Sequence, residues 1–222
     1  VTDTEPESRA ALVVLGLLAN GELTAFSRLA ADAERAPQVA ERIELARLGG
    51  AALARLERIT ERVDQLGGDV AEAVTPYLGT FADFDERTPA STWWERLLKA
   101  YVGYGVEEDL LGLLATSTDP ATRDLVAELL GDDRHSAFVI STVTAGMAAD
   151  QVLGSRLALW GRRLVGEALG VVQRALTAHP ELRPLLERAV PDGTPGDDLQ
   201  QQVFAILTAE HTRRMGRLGL TA

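Results

Sequence analysis

Residues 8–34 read SRAALVVLGLLANGELTAFSRLAADAE, and the fold turns on how this stretch is read. Leu12, Leu15, Leu18, Ala25, Phe26 and Leu29 recur at three- and four-residue steps, the period of one helical face. Glu22 falls on the same stripe. A carboxylate leaves an apolar face unless a partner holds it there, so Glu22 marks either a metal ligand or one half of an internal ion pair.

Working outward, the first helix stops before Pro37, and a second from Val39 to Leu66 ends at Gly67-Gly68. Two long helices with so short a connection form an antiparallel pair. Residues 69–89 are weaker, with a short helix expected around 70–78 and a crossover connection over 80–89. A third helix, 91–117, places Trp94, Leu97, Tyr101, Tyr104, Glu108, Leu111 and Ala115 on one face. Asp119-Pro120 opens a fourth, 119–149, whose stripe includes Asp132 and Val139. Asp132 and His135, at i and i+3, share a face of it, so three metal-ligand residue types can meet in one core. A fifth helix covers 152–178, residues 181–196 are punctuated by proline, and a sixth helix runs from about Asp197 to Gly219. Strand-like alternation and internal repeats are absent. The expectation is all-α and one domain over 1–222, a bundle at about 8–150 with two further helices at about 151–220.

Composition narrows the chemistry. With no cysteine, disulfides, thiolate nucleophiles and sulfur-ligated metals are excluded. A net charge of −11 opposes general attraction to nucleic acid or anionic membrane. The acidic N-terminus lacks the basic segment of a secretory signal, and the apolar run 10–19 is short for a bilayer, so a cytoplasmic protein with no membrane association is expected. Lys99 is the only lysine. Phosphate loops and nucleophile elbows are missing from the sequence.

Two helix pairs carrying inward carboxylates resemble the ferritin-like diiron scaffold. More narrowly, the chain resembles the tRNA isopentenyl-adenosine hydroxylase-like (MiaE-like) branch of that superfamily. The resemblance rests on Gly21-Glu-Leu-Thr-Ala-Phe, Lys99-Ala-Tyr-Val-Gly, Gly131-Asp-Asp-Arg-His-Ser, Leu164-Val-Gly-Glu-Ala-Leu and Glu210-His-Thr-Arg-Arg-Met, in that order. It implies a ferritin-like four-helix bundle and dioxygen-dependent hydroxylation of a modified tRNA at non-haem iron. It also implies Glu22 as the first-helix ligand and Asp132 with His135 as the fourth-helix pair.

Where helix two should supply Glu-x-x-His, the chain has Ala52 and Arg55, and the helix-three carboxylate maps near Tyr104, with Glu108 one turn on. Two irons need about six protein ligands. Arg55 stays protonated and repels cations. The expectation is therefore a decayed centre without cofactor, in which Arg55 pairs with Glu22 or Asp132, and a binding or regulatory role. The alternative is an active iron-dependent hydroxylase with an altered site, its iron mono- or dinuclear at Glu22, Asp132 and His135. A third idea is a small-molecule carrier with a pocket lined by Phe26, Ala52, Tyr101 and Tyr104, where the small residues Gly50 and Ala52 leave space.

A second polar cluster, Glu167, Glu210, His211, Arg213 and Arg214, lies in the last two long helices. Glu167 is expected to pair with an arginine across the helix interface, and His211 and His179 to cap or lie near helix ends. Trp93-Trp94 is expected in the core or a hinge rather than under a base. For partners the sequence suggests a second copy of the chain through an exposed apolar helix face, and tRNA only through the resemblance.

Overall fold

The computed structural model describes residues 4–80, 82–190 and 199–222, and among them every regular element is helical. The chain divides into two compact units, one of residues 1–79 with 111–131 and the other of residues 80–110 with 132–222.

The first unit is built on α1 (Thr4–Arg35) and α2 (Val39–Gln65), antiparallel as the short connection requires. Ala11, Val14, Leu15, Leu18 and Leu29 of α1 are buried, with Leu45, Leu48, Ala52, Ile59 and Val63 of α2. Arg42 ties the turn by donating from Nε to the Ala33 carbonyl (3.1 Å) and from Nη2 to that of Glu34 (2.9 Å), satisfying two end-of-helix acceptors. At the far end of α2, Gly67 adopts φ +74°, its N–H donating to Asp64 and that of Gly68 to Val63, the paired bonds of a Schellman stop. α3 (Val70–Val74) and the 3₁₀ turn 75–77 pack on α1 at Gly16, where a Cβ would stand 2.2 Å from the Ala73 carbonyl oxygen. The same unit contains the end of α6 (Gly105–Ala115) and α7 (Pro120–Leu130). Asp119 caps α7 through the Thr122 N–H (3.0 Å), and Arg62 of α2 donates to both Asp119 (2.8 Å) and the Thr122 hydroxyl (3.0 Å).

By length and mean hydropathy, 1.6 over its best window, Glu7–Arg35 is apolar enough to cross a bilayer, contrary to what its uninterrupted run suggested. Here 56% of that window is buried, with its apolar face on α2 and α3, as in a core helix.

In the second unit α4 (Ala82–Arg87) occupies what the sequence suggested was a plain crossover, with Phe84 buried. α5 (Trp93–Leu98) starts at a Thr92–Glu95 capping box and passes through one wide π-helical turn, Lys99–Gly103, before α6. This turn corrects the straight helix-three stripe. An extra residue per turn rotates everything downstream by about 100°, so Glu108 is exposed while Asp109 turns inward. The expected continuous helix 119–149 is likewise two, α7 and α8 (Arg134–Ala149). Gly131, Asp132 and Asp133 interrupt it, because glycine and aspartate favour helix ends over interiors.

α9 (Gln151–Ala178), α10 (Leu182–Ala189) and α11 (Leu199–Arg217) complete the second unit. Pro184 is tolerated in the first turn of α10, where no intrahelical donor is lost, and Leu182, Leu185 and Leu186 are buried. The start of the sixth helix near Asp197 and residues 191–196 lie outside the described residues. Gly161 lets Met215 of α11 approach α9, and Gly146 lets the Trp94 ring lie on α8, since a Cβ at either would clash at 2.4 Å.

Candidate functional site

In the first unit the anomaly at Glu22 is resolved by α2. Arg55 Nε donates to Glu22 Oε1 at 2.7 Å and Nη2 to Oε2 at 2.8 Å, a fork-to-fork pair. Glu22 is 8% exposed, and Ala52, one turn before Arg55, is fully buried. The guanidinium meets both carboxylate oxygens and cannot give up its proton. A dinuclear cation centre needs those lone pairs and no fixed positive charge beside them. The residues around Glu22 therefore do not fit such a centre.

Asp132, expected on the inner face of a long helix, is instead in the break before α8. Its two oxygens accept from Arg134, Nε to Oδ1 at 2.8 Å and Nη2 to Oδ2 at 2.6 Å, and the Arg134 N–H donates to Oδ1 at 3.2 Å. It is an end-of-helix carboxylate stabilised by an adjacent cation. His135 is the second residue of α8 and half-buried. Without a helix through 131–133, the i, i+3 relation between Asp132 and His135 no longer places them on one helical face. Glu108, the substitute carboxylate, faces solvent. Among the described residues no three His, Asp or Glu side chains are grouped as metal ligands.

Tyr104 stands at the vacated helix-three position in a different network. Its hydroxyl donates to Asp85 Oδ1 at 2.6 Å, and the same oxygen lies 2.6 Å from Lys99 Nζ. Lys99 also donates to the Thr88 carbonyl at 3.0 Å and sits 5.1 Å from the Phe84 ring centroid, over which Tyr104 stacks edge-on at 5.4 Å. The only lysine of the chain thereby fastens α4 to the π turn. Gly103 permits this approach: a Cβ there would stand 2.7 Å from Phe84. In the sequence Lys99 stands only within a short motif, and no periodicity marks Asp85 as its partner.

The second polar cluster is divided. Glu210 pairs with Arg213 on the surface of α11. Glu167 is half-exposed and forms no ion pair among the described residues, so the expected cross-helix arginine is not there. Arg214 turns inward to Asp109, a partner hidden in the sequence because it sits beside Glu108 and only the wide turn brings it in. His211 is 1% exposed in the interior of α11, not at a helix end, and neither ring nitrogen has a partner among the described residues. Burial first, and then the Arg214 charge, lower its pKa to about 4. His179 does take the C-cap position of α9, 3.5 Å from Glu181.

Of the residues expected to line a carrier pocket, Phe26 is 36% exposed and Ala52 is fully buried, while Gly50, expected to leave space there, lies on the exposed side of α2. Trp94 is half-buried, its ring lying on α8 at Gly146.

A family model described as a ferritin-like domain of actinomycetes matches residues 7–189. No curated protein matches the sequence.

Proposed function

The chain belongs to the actinomycete family of ferritin-like domains, and we propose that it is a metal-independent member with a binding or regulatory role. Within that fold we place it beside the tRNA isopentenyl-adenosine hydroxylase-like branch, with the oxygenase centre lost. One observation carries the reading: Arg55 holds both oxygens of Glu22, at 2.7 and 2.8 Å. A guanidinium in that position neutralises the acid that a metal would otherwise neutralise. Asp132, engaged by Arg134, supports the same reading from a second position.

The test is elemental analysis of protein expressed with iron and dialysed, alongside the double variant Ala52→Glu with Arg55→His, each checked for helicity. The expected result is wild-type protein without stoichiometric iron and with a Tm indifferent to chelator, and iron retained by the double variant. About two irons per wild-type chain, with dioxygen consumption on reduction, would replace this reading with that of an active hydroxylase.

A further inference from the structure

The outer face of α9 carries a group of arginines that neither the packing of the second unit nor the Glu22 site uses. Val152, Ser155, Arg156, Leu159, Arg162 and Arg163 are all exposed there. Seven-residue steps align them: Val152 with Leu159 in the middle, Arg156 with Arg163 on one side, Ser155 with Arg162 on the other. Val152 and Leu159 are each 64% exposed, so two aliphatic side chains stand between three guanidinium groups.

This positive charge is not neutralised inside the protein. Arg156 and Arg162 form no ion pair among the described residues, and Arg163 donates to the Arg87 carbonyl and lies 5.5 Å from the Trp160 ring centroid, neither of them an anion. The neighbouring carboxylates are engaged elsewhere. Glu95 of α5 accepts from the Ser91 and Thr92 N–H groups, Asp83 of α4 faces Arg174 at 3.5 Å, and Asp85 holds Lys99 at 2.6 Å. α4 runs beside the C-terminal half of α9, from Asp83 at Arg174 to the Arg87 carbonyl at Arg163, which keeps Glu86 in that half together with Glu167. α8, packed on α9 as well, has no acidic residue between Arg134 and Ala149.

We propose that the N-terminal half of α9 is a docking surface for an anionic lipid membrane, with Val152 and Leu159 entering the headgroup region and Arg156, Arg162 and Arg163 reaching anionic headgroups on either side. Charge complementarity and the aliphatic line together select that occupant. Arginines flanking exposed aliphatic groups match a surface whose anionic plane overlies an apolar one, and the long arginine stem lies along the aliphatics with its charge among the headgroups. A nucleic acid matches less well. Val152 and Leu159 would meet only its phosphates, one face of the Trp160 ring is taken by Arg163, and the indole Nε1 already donates to the Glu95 carbonyl at 3.1 Å. The net charge of −11 opposes attraction at long range, but charges more than a Debye length away, about 8 Å at physiological salt, are screened, so the local arginines decide. Two aliphatic side chains and three charges give reversible, salt-sensitive association rather than insertion.

Co-sedimentation of the full chain with vesicles containing phosphatidylglycerol, against vesicles of phosphatidylcholine alone, tests this, with circular dichroism to confirm that each variant folds. Wild-type protein is expected to partition onto the anionic vesicles and to come off as salt is raised. Arg156→Glu and Arg162→Glu each lower the partition by about tenfold or more, since each removes an attraction worth about fivefold and adds a repulsion. Leu159→Asp lowers it as well, whereas Leu159→Trp maintains or raises it. Arg183→Glu, the same change of charge on α10, leaves it unaltered. Absence of wild-type protein from the anionic vesicles overturns the proposal, as does equal partition onto both kinds, or an Arg183→Glu loss as large as that of Arg156→Glu. Retention on single-stranded RNA that Arg156→Glu abolishes, with none on vesicles, gives the surface to nucleic acid and overturns it too.

Discussion

Asp109 and Arg214, 105 positions apart, close a fork-to-fork ion pair inside the second unit, with Arg214 Nη1 donating to Oδ2 at 2.7 Å and Nη2 to Oδ1. Both side chains are only 14% exposed. Gly105 makes room for it, since a Cβ there would stand 2.6 Å from Arg214 Nε. Burial raises the carboxyl pKa of Asp109 and the guanidinium works against it, so the ion depends on its partner. Asp109→Leu is expected to cost about 3–5 kcal/mol by stranding a cation. Adding Arg214→Met should recover most of that loss, because replacing both ions with apolar groups removes the desolvation cost as well as the attraction. Urea denaturation of the two singles and the double checks this, and a double no more stable than Asp109→Leu would contradict it.

Glu22 and Arg55 answer to the same argument, with a smaller magnitude. Their side chains are 9% and 20% exposed, so water reaches the guanidinium and screens part of the pair. Glu22→Ala is expected to cost about 2–4 kcal/mol, and Glu22→Leu with Arg55→Leu to return to within about 1 kcal/mol of wild type. A double-mutant cycle from chemical denaturation gives the coupling directly. A coupling near zero would show that Glu22 owes its buried position to something other than Arg55.

Gly16 offers a steric test independent of charge. A methyl at this position would lie 2.2 Å from the Ala73 carbonyl oxygen, and a backbone atom cannot swing aside as a side chain tip can. Gly16→Ala is expected to push α3 off α1, costing about 1–3 kcal/mol even though alanine is the better helix former. Hydrogen exchange should rise over residues 70–77 in particular. Unchanged protection there would show that α1 and α3 need no such close approach.

The first two helices were legible because their signals are local: a 3.6-residue period, Pro37 at one end and Gly67-Gly68 at the other. The Glu22–Arg55 pair was legible in part: a charge on an apolar stripe demands a partner, and the family resemblance brought Arg55 to the same place, with Glu22 or Asp132 as the acid it would meet. The π turn was not. Nothing in Lys99-Ala-Tyr-Val-Gly distinguishes a five-residue hydrogen-bonded turn from a four-residue one, yet that single extra residue sends Glu108 outward and brings Asp109 to Arg214. The interruption at Gly131-Asp132-Asp133 carried its signal in plain residues, but the apolar stripe on either side suggested continuity. α10 was obscured by Pro184, a residue that ends most helices but that the first turn accommodates.

His211 gives the fold a calculable response to acid. Its ring is buried on α11, with neither nitrogen partnered among the described residues, and the Tyr101 hydroxyl in the same unit is buried and unpartnered as well. Both groups interact electrostatically with Arg214. Burial and that charge lower the imidazole pKa to about 4, against about 6.5 in an unfolded chain. Between those values the unfolded state binds the extra proton, so the derivative of stability with pH is positive: stability is complete above about 6.5 and lost as pH falls toward about 4. The full loss is about 3 kcal/mol at most. His211→Leu removes the titrating group along with two unsatisfied polar atoms. The variant is therefore expected to match or exceed wild type near neutrality and to fall less steeply with acid. Taking the wild-type minus variant difference in unfolding free energy at each pH cancels the carboxylates, including Asp109, whose raised pKa acts in the opposite sense. A difference that stays flat from neutrality down to about pH 4 would mean that the buried imidazole is not what the proton finds on unfolding.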